Sequence, residues 1–114
     1  MSKELNMLPP SIRQKKRYIK FKVRSEQEVK LGEVVDTVWD KCLNYLGTKE
    51  TSDIDFWIIG NQFNEKNQDG IIKVNRDKLE EFRACLALIG SLGNKKGFIQ
   101  VEKVSGSIKK CQSN

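Results

Sequence analysis

Hydrophobic and polar positions alternate strictly over residues 17–24 (RYIKFKVR). Ile19, Phe21 and Val23 fall on one side, and Tyr18, Lys20, Lys22 and Arg24 on the other. A period of two predicts a half-buried strand, here with a basic outer face. From residue 28 the period lengthens. Leu31, Val34, Val35, Val38, Trp39, Cys42, Leu43 and Leu46 recur at helical spacing, which predicts a helix over 28–46 with one apolar side. Ser25 and Glu28 have capping-box spacing, and Gly47 is a natural stop. A second alternating run, 54–60 (IDFWIIG), puts Ile54, Phe56 and Ile58 on one face and Asp55, Trp57 and Ile59 on the other. The polar stretch 61–70 ends in Asp69-Gly70, a turn signal. Residues 71–75 (IIKVN) make a third strand, so 54–75 reads as a hairpin with a long loop. Leu79, Phe82, Leu86 and Ile89 form the stripe of a second helix over 77–89, with Asp77 and Glu80 at capping-box spacing and Gly90 and Gly93 as its stops. Residues 97–105 (GFIQVEKVS) are a fourth strand. A polar tail, 106–114, follows, in which Cys111 is expected to be exposed. At the other end, Pro9-Pro10 makes residues 1–16 an extended arm.

The order is βαββαβ, the split motif of ferredoxin-like and RRM-like α+β domains, with helices on one face of an antiparallel sheet. A chain of 114 residues fits one such domain. In this topology the first strand is central and is flanked by the third and fourth. The beginning of the first strand, Arg17 to Lys20, then lies beside the end of the last, Val104 to Lys110. The sheet face away from the helices carries Tyr18, Lys20, Lys22, Trp57, Ile71 and Lys73 and is open to a partner.

Charge sharpens this picture. The formal charge is +6, but it is segregated: residues 1–24 carry +7, residues 25–70 carry −6, and residues 71–114 carry +5. The fold would bring the two basic tracts to one edge of the sheet and make a directional field there. Lys and Arg neutralise phosphates and release counterions, and Tyr18 can stack on an unpaired base. The third strand lacks the Gly-aromatic pattern with which RRM domains read bases. Trp57 and Ile71 on the same face suggest protein contact instead.

Other chemistry is thinly represented. There is no His, so the usual general base is missing. Cys42, Cys85 and Cys111 are far apart, odd in number and form no C-x-x-C pair, which speaks for free thiols in a reducing cytoplasm rather than zinc. Cys42 and Cys85 lie in helical patterns and read as packing residues. Asp53, Asp55, Glu65 and Asp69 cluster around the hairpin, where loop solvation explains them more simply than a metal does. Ser107 and Lys110 have Ser/Lys spacing without the motifs that accompany such pairs in enzymes. Gly90-Ser-Leu-Gly93 has the spacing of a KH-type loop but follows a helix, so a helix C-cap is the better reading. Within 93–97 (GNKKG), Lys95 and Lys96 are candidates for phosphate. No secretory leader and no membrane-spanning run are present in the sequence.

Three stretches resemble the archaeal ribonuclease P protein component 2 family. Residues 8–23 (LPPSIRQKKRYIKFKV) match its Leu-Pro-Pro, basic stretch and Lys-Arg-Tyr-Ile before a strand. Residues 70–89 (GIIKVNRDKLEEFRACLALI) match its Gly-Ile-Ile strand and the following helix, with Cys85 where Ala is expected. Residues 104–110 (VSGSIKK) match its Val-Ser-Gly-Thr-Ile with a basic residue after it. The helix around 34–39 (VVDTVW) agrees as well, and 47–69 matches least. The resemblance implies an RRM-like fold and a subunit of the ribonucleoprotein that endonucleolytically removes the 5′ leader from precursor tRNA. It further implies that hydrolysis belongs to the RNA and to Mg²⁺ held on the RNA, with no cofactor bound by the protein. The implied partners are ribonuclease P RNA, ribonuclease P protein component 3, and a second copy of this chain within a heterotetramer. On this reading the candidate RNA-binding residues are Arg13, Lys15, Lys16, Arg17, Tyr18, Lys20, Lys22, Lys95, Lys96, Ser105, Ser107, Lys109 and Lys110. Trp57 and Ile71 are the candidate protein interface. About six engaged phosphates would give a slope of about −4 to −5 in log affinity against log salt. The rival readings are another RNA-binding protein, such as a ribosomal one, a ferredoxin-fold enzyme of the acylphosphatase kind, or a small-molecule regulatory module. Residues 25–30 (SEQEVK) hold acids and no Gly, unlike the phosphate loop that the acylphosphatase kind needs.

Overall fold

The strongest alternation in the sequence becomes the middle of the sheet. In the computed structural model, which describes residues 15–112, β1 (Lys16–Ser25) buries Ile19, Phe21 and Val23 completely or nearly so. It is followed by α1 (Leu31–Ile54), β2 (Trp57–Ile58), a 3₁₀ turn at Gly60–Gln62, β3 (Asp69–Asn75), a second 3₁₀ turn at Arg76–Lys78, α2 (Leu79–Ala87), β4 (Ser91–Leu92), β5 (Lys95–Ser105) and α3 (Ile108–Gln112). Strand order is β2-β3-β1-β5-β4, with every pairing antiparallel. The expected βαββαβ core is therefore present, and β1 lies between β3 and β5.

One core joins α1 and α2 to the inner face of the sheet. It contains Ile19, Phe21, Val34, Val38, Cys42, Ile72, Val74, Phe82, Cys85, Leu86 and Ile99 among others. Phe56 is sandwiched, its ring centroid 4.6 Å from Trp39 and 4.9 Å from Phe82. Burial pushes the Cys42 thiol up to about 12 and raises that of Cys85, which suits inert packing groups. Between Lys20 and Phe21 the register to β5 shifts, so that Lys20 pairs with Lys103 and Phe21 with Val101. Strict alternation would place Val101 and Val104 on opposite faces. The bulge lets both pack on the core.

Several boundaries differ from the sequence reading. The helix does not stop at Gly47. That residue leaves helical geometry (φ 87°, ψ 174°), but the helix resumes and ends at Ile54, where Asp55 takes the left-handed conformation (φ 50°, ψ 51°). Burial of Thr51 and Ile54 holds the second segment in place, and packing outweighs the local stop. The expected strand 54–60 shrinks to Trp57–Ile58 as a result. Neither expected capping box forms. α1 begins at Leu31, with the Lys30 N–H donating to Glu33 Oε1 at 3.1 Å. Asp77 makes an ion pair with Arg76 at 3.7 Å instead of capping α2. Gly90-Ser-Leu-Gly93 is not a helix cap. α2 ends before it, and Ser91–Leu92 pairs with Lys95–Lys96 in a hairpin that turns at Gly93 (φ 63°).

The tail is the largest correction. Ser107 caps α3, its Oγ accepting the Lys110 N–H at 3.2 Å. Cys111 is fully buried, and its Sγ donates to the Tyr18 carbonyl at 3.2 Å. Cys111 and Ile71 are buried outside the main core. Cys111 lies beneath α3, which is laid across β1 and β5 on the sheet face opposite α1 and α2, and Ile71 is buried on that same face in β3.

Candidate nucleic-acid interface

Cross-strand register fixes the rows of this second face. Trp57, Lys73, Tyr18 and Ser105 are successive partners across β2, β3, β1 and β5. The next row is Ile71, Lys20 and Lys103, and the next Asp69, Lys22 and Gln100. Beyond them Arg24 faces Phe98. Side chains point to opposite faces in alternation, so five cations (Lys20, Lys22, Arg24, Lys73 and Lys103) share a surface about four strands wide with Tyr18, Trp57 and Phe98. Such a surface attracts polyanions by counterion release, and its aromatic rings offer stacking platforms.

The structure sorts the candidate RNA-binding residues. Lys15 is exposed, and its carbonyl accepts the Arg76 N–H at 2.8 Å. Lys16 is engaged elsewhere: its Nζ lies 3.1 Å from Asp55 Oδ2 and also donates to Asn75 Oδ1. Arg17 donates to the Lys16 carbonyl at 3.1 Å. Lys95 is clamped to α1, with Nζ 2.8 Å from Glu33 Oε1, and this contact holds the Glu33 carboxyl below its ordinary value. Lys20, Lys22, Lys96 and Lys109 make no ion pair among the described residues. Ser105 and Ser107 serve the turn into α3, the Ser107 N–H donating to Ser105 Oγ at 3.4 Å. Lys103 Nζ donates to the Lys110 carbonyl at 2.5 Å, which ties β5 to α3. The predicted meeting of the two basic tracts is real: Tyr18 pairs with Ser105, and α3 brings Lys109 and Lys110 over the same strands. Arg13 lies outside the described residues.

Of the two candidate protein-contact residues, only Trp57 is available. It is 66% exposed at the sheet edge. Ile71 is only 4% exposed and is not part of an open surface. Trp57 instead borders a shallow apolar cleft of about 200 Å³ with Val35, Trp39, Phe56 and Ile58. The carboxylates around the hairpin are dispersed: Asp55 pairs with Lys16, and Asp53 with Lys49 at 3.5 Å. Among the described residues no three such groups converge as metal ligands. The Ser107-x-x-Lys110 spacing is a helix cap.

Sequence reasoning put Lys73 on the open face without naming it an RNA-binding residue, and passed over Phe98 and Arg24 as site residues. The signal was present in the run KGFIQV, where Phe98 is in phase with Lys96 and Gln100 and therefore on the polar side of its strand.

Known proteins share this architecture. A family model described as the Rpp14/Pop5 family matches residues 17–114. Ribonuclease P protein component 2 of Pyrococcus furiosus is 38% identical over 112 residues, covering 98% of this chain and 92% of that protein. The protein of the same name from Methanocaldococcus jannaschii is 37% identical, over 98% of this chain and 81% of its own length. A chain in the cryo-EM structure of yeast ribonuclease MRP superposes with a TM-score of 0.65 at 11% identity, covering 83% of this chain and 76% of that one, which supports the fold. With a family model spanning almost all the described residues, and relatives this similar over nearly their whole length, the chain belongs to the Rpp14/Pop5 family.

Proposed function

We propose that this chain is a protein subunit of ribonuclease P, and that it acts by neutralising phosphates of the ribonuclease P RNA. The observation that carries the mechanism is the basic sheet face: Lys20, Lys22, Arg24 and Lys73 point away from the helices in register across two strands. Family membership supports the choice of RNA. Packed RNA helices repel one another, and cations fixed on a folded protein lower that repulsion without having to be gathered from solution. The RNA would then hold its active fold at lower Mg²⁺, with the metal on the RNA and hydrolysis of the precursor tRNA leader carried out there. The protein's part is to bind and stabilise.

Protein partners belong at the edge. Trp57, Trp39 and the cleft beside them offer an apolar, aromatic-rich contact of the kind that anchors interfaces. We assign this edge to another protein subunit, ribonuclease P protein component 3 or a second copy of this chain. The test is to purify the chain from its own cells under native conditions and sequence the RNA that comes with it. A single ribonuclease P-type RNA is expected. Ribosomal RNA, or no RNA, would overturn the reading.

A further inference from the structure

At the end of the sheet face farthest from α3, a large ring is left in water. Phe98 is 52% exposed and projects from β5 in the row facing Arg24. α3 holds the other end, at the Tyr18 carbonyl. Arg24 lies six residues further along β1, about 20 Å away at strand spacing. Phe98 therefore lies outside the α3 layer.

The surroundings of the ring are polar and cationic. Arg24 Nε donates to Gln100 Oε1 at 2.9 Å, which fixes the guanidinium beside the row that holds Phe98. Lys22 pairs with Gln100, and Lys96 is two residues before Phe98 on the same side of β5. The backbone here is pressed close. Gly97 pairs with Ser25, and a Cβ at Gly97 would sit 2.5 Å from the Arg24 carbonyl. The platform rests on tightly paired strands, not on a loop. Two carboxylates are near: Glu26, which accepts the Lys96 N–H at 3.2 Å, and Asp69, which faces Lys22 from β3.

A protein partner would find a poor anchor here, because Lys, Glu and Asp are depleted at protein interfaces and Lys22, Lys96, Glu26 and Asp69 surround the ring. An unpaired nucleotide has the complementary chemistry, with a flat base for the ring and phosphates for the cations. We propose that Phe98 is a stacking platform for an unpaired base of RNA, with Lys22, Arg24 and Lys96 holding the phosphates on either side. This deepens the reading given above and rests on it for which RNA is bound. The stacking itself can be tested separately.

The test uses the full chain and three probes: a single-stranded oligoadenylate, an RNA duplex of equal length, and the ribonuclease P RNA. Phe98→Ala should weaken oligoadenylate binding by about 5- to 150-fold, the range that loss of one base–aromatic stack gives. Duplex binding and the salt slope should not change. Phe98→Tyr, which keeps a ring, should retain the affinity and shows that the site, not the fold, was altered. Wild-type affinity for oligoadenylate in Phe98→Ala, or an equal loss on the duplex, overturns the stacking site. If the wild type still binds ribonuclease P RNA in that case, the functional reading stands without it. If Phe98→Ala shows the selective loss but the wild type does not hold ribonuclease P RNA, the stacking site stands and the functional reading falls.

Discussion

Replacing Lys20, Lys22 and Lys96 together with Ala separates cations that face a partner from cations that hold the fold. None of the three makes an ion pair among the described residues, whereas Lys16 and Lys95 are bound to Asp55 and Glu33. Removing one cation from a bound phosphate should reduce the steepness of log affinity against log salt by about 0.7 to 0.9. Removing all three gives a change of about 2 to 3. If the two proteins bind equally at about 1 M salt, where electrostatic attraction is screened out, the triple variant binds ribonuclease P RNA about 100- to 500-fold more weakly at about 0.1 M. Filter binding across a salt series measures both quantities. The double variant Lys16→Ala, Lys95→Ala is the counterpart: its slope should match the wild type while its stability falls, because it leaves Asp55 and Glu33 without their partners. A triple variant with wild-type slope, or a double variant that loses as much slope as the triple, would refute this division of the charges.

Thr51 Oγ1 is buried with no hydrogen-bond partner among the described residues. Thr51→Val, nearly the same shape, should raise stability by about 1 kcal/mol in urea unfolding, and a loss of that size would contradict the assignment. Ile71→Ala should cost about 2 to 4 kcal/mol in urea unfolding, because it empties a buried site on the sheet. Cys111, fully buried at the Tyr18 carbonyl with its thiol raised by burial, should resist alkylation in the native chain and react only on unfolding. The Lys95 ammonium and the Lys30 N–H hold Glu33 below its ordinary 4.5, so their contribution is present above that value and is lost as pH falls through the lower folded value. The stability difference between wild type and Glu33→Gln should therefore be flat from neutrality down to about pH 4.5 and shrink below it. A difference that changes near neutrality would point to another group.

How far the sequence could be read depended on how long each pattern ran. β1 has eight alternating residues and was legible to within a residue or two, as was the central position that βαββαβ order assigns to it. Gly47 does break the helix, yet the buried residues beyond it, Thr51 and Ile54, restore it, and only the folded core can supply that information. α3 is a helix of five residues, too short for a period to show. Its one local signal was Ser107 ahead of it, a cap that reads equally well as part of a polar tail. The burial of Cys111 depends on that turn and was out of reach for the same reason. Among the candidate site residues, charge alone did not distinguish Lys16 and Lys95 from Lys20 and Lys22. Their ion-pair partners, Asp55 and Glu33, are 39 and 62 residues away in sequence.

On the function proposed above, this chain lets the ribonuclease P RNA work at low Mg²⁺ by neutralising its phosphates. The most direct measurement is cleavage of precursor tRNA by the ribonuclease P RNA and ribonuclease P protein component 3, with and without this chain, at limiting Mg²⁺. Mature 5′ ends are expected at low Mg²⁺ only when this chain is present, and the triple Lys20, Lys22, Lys96 variant should need more Mg²⁺ to reach the same rate. Cleavage that is the same with and without the chain across the Mg²⁺ series would contradict the claim.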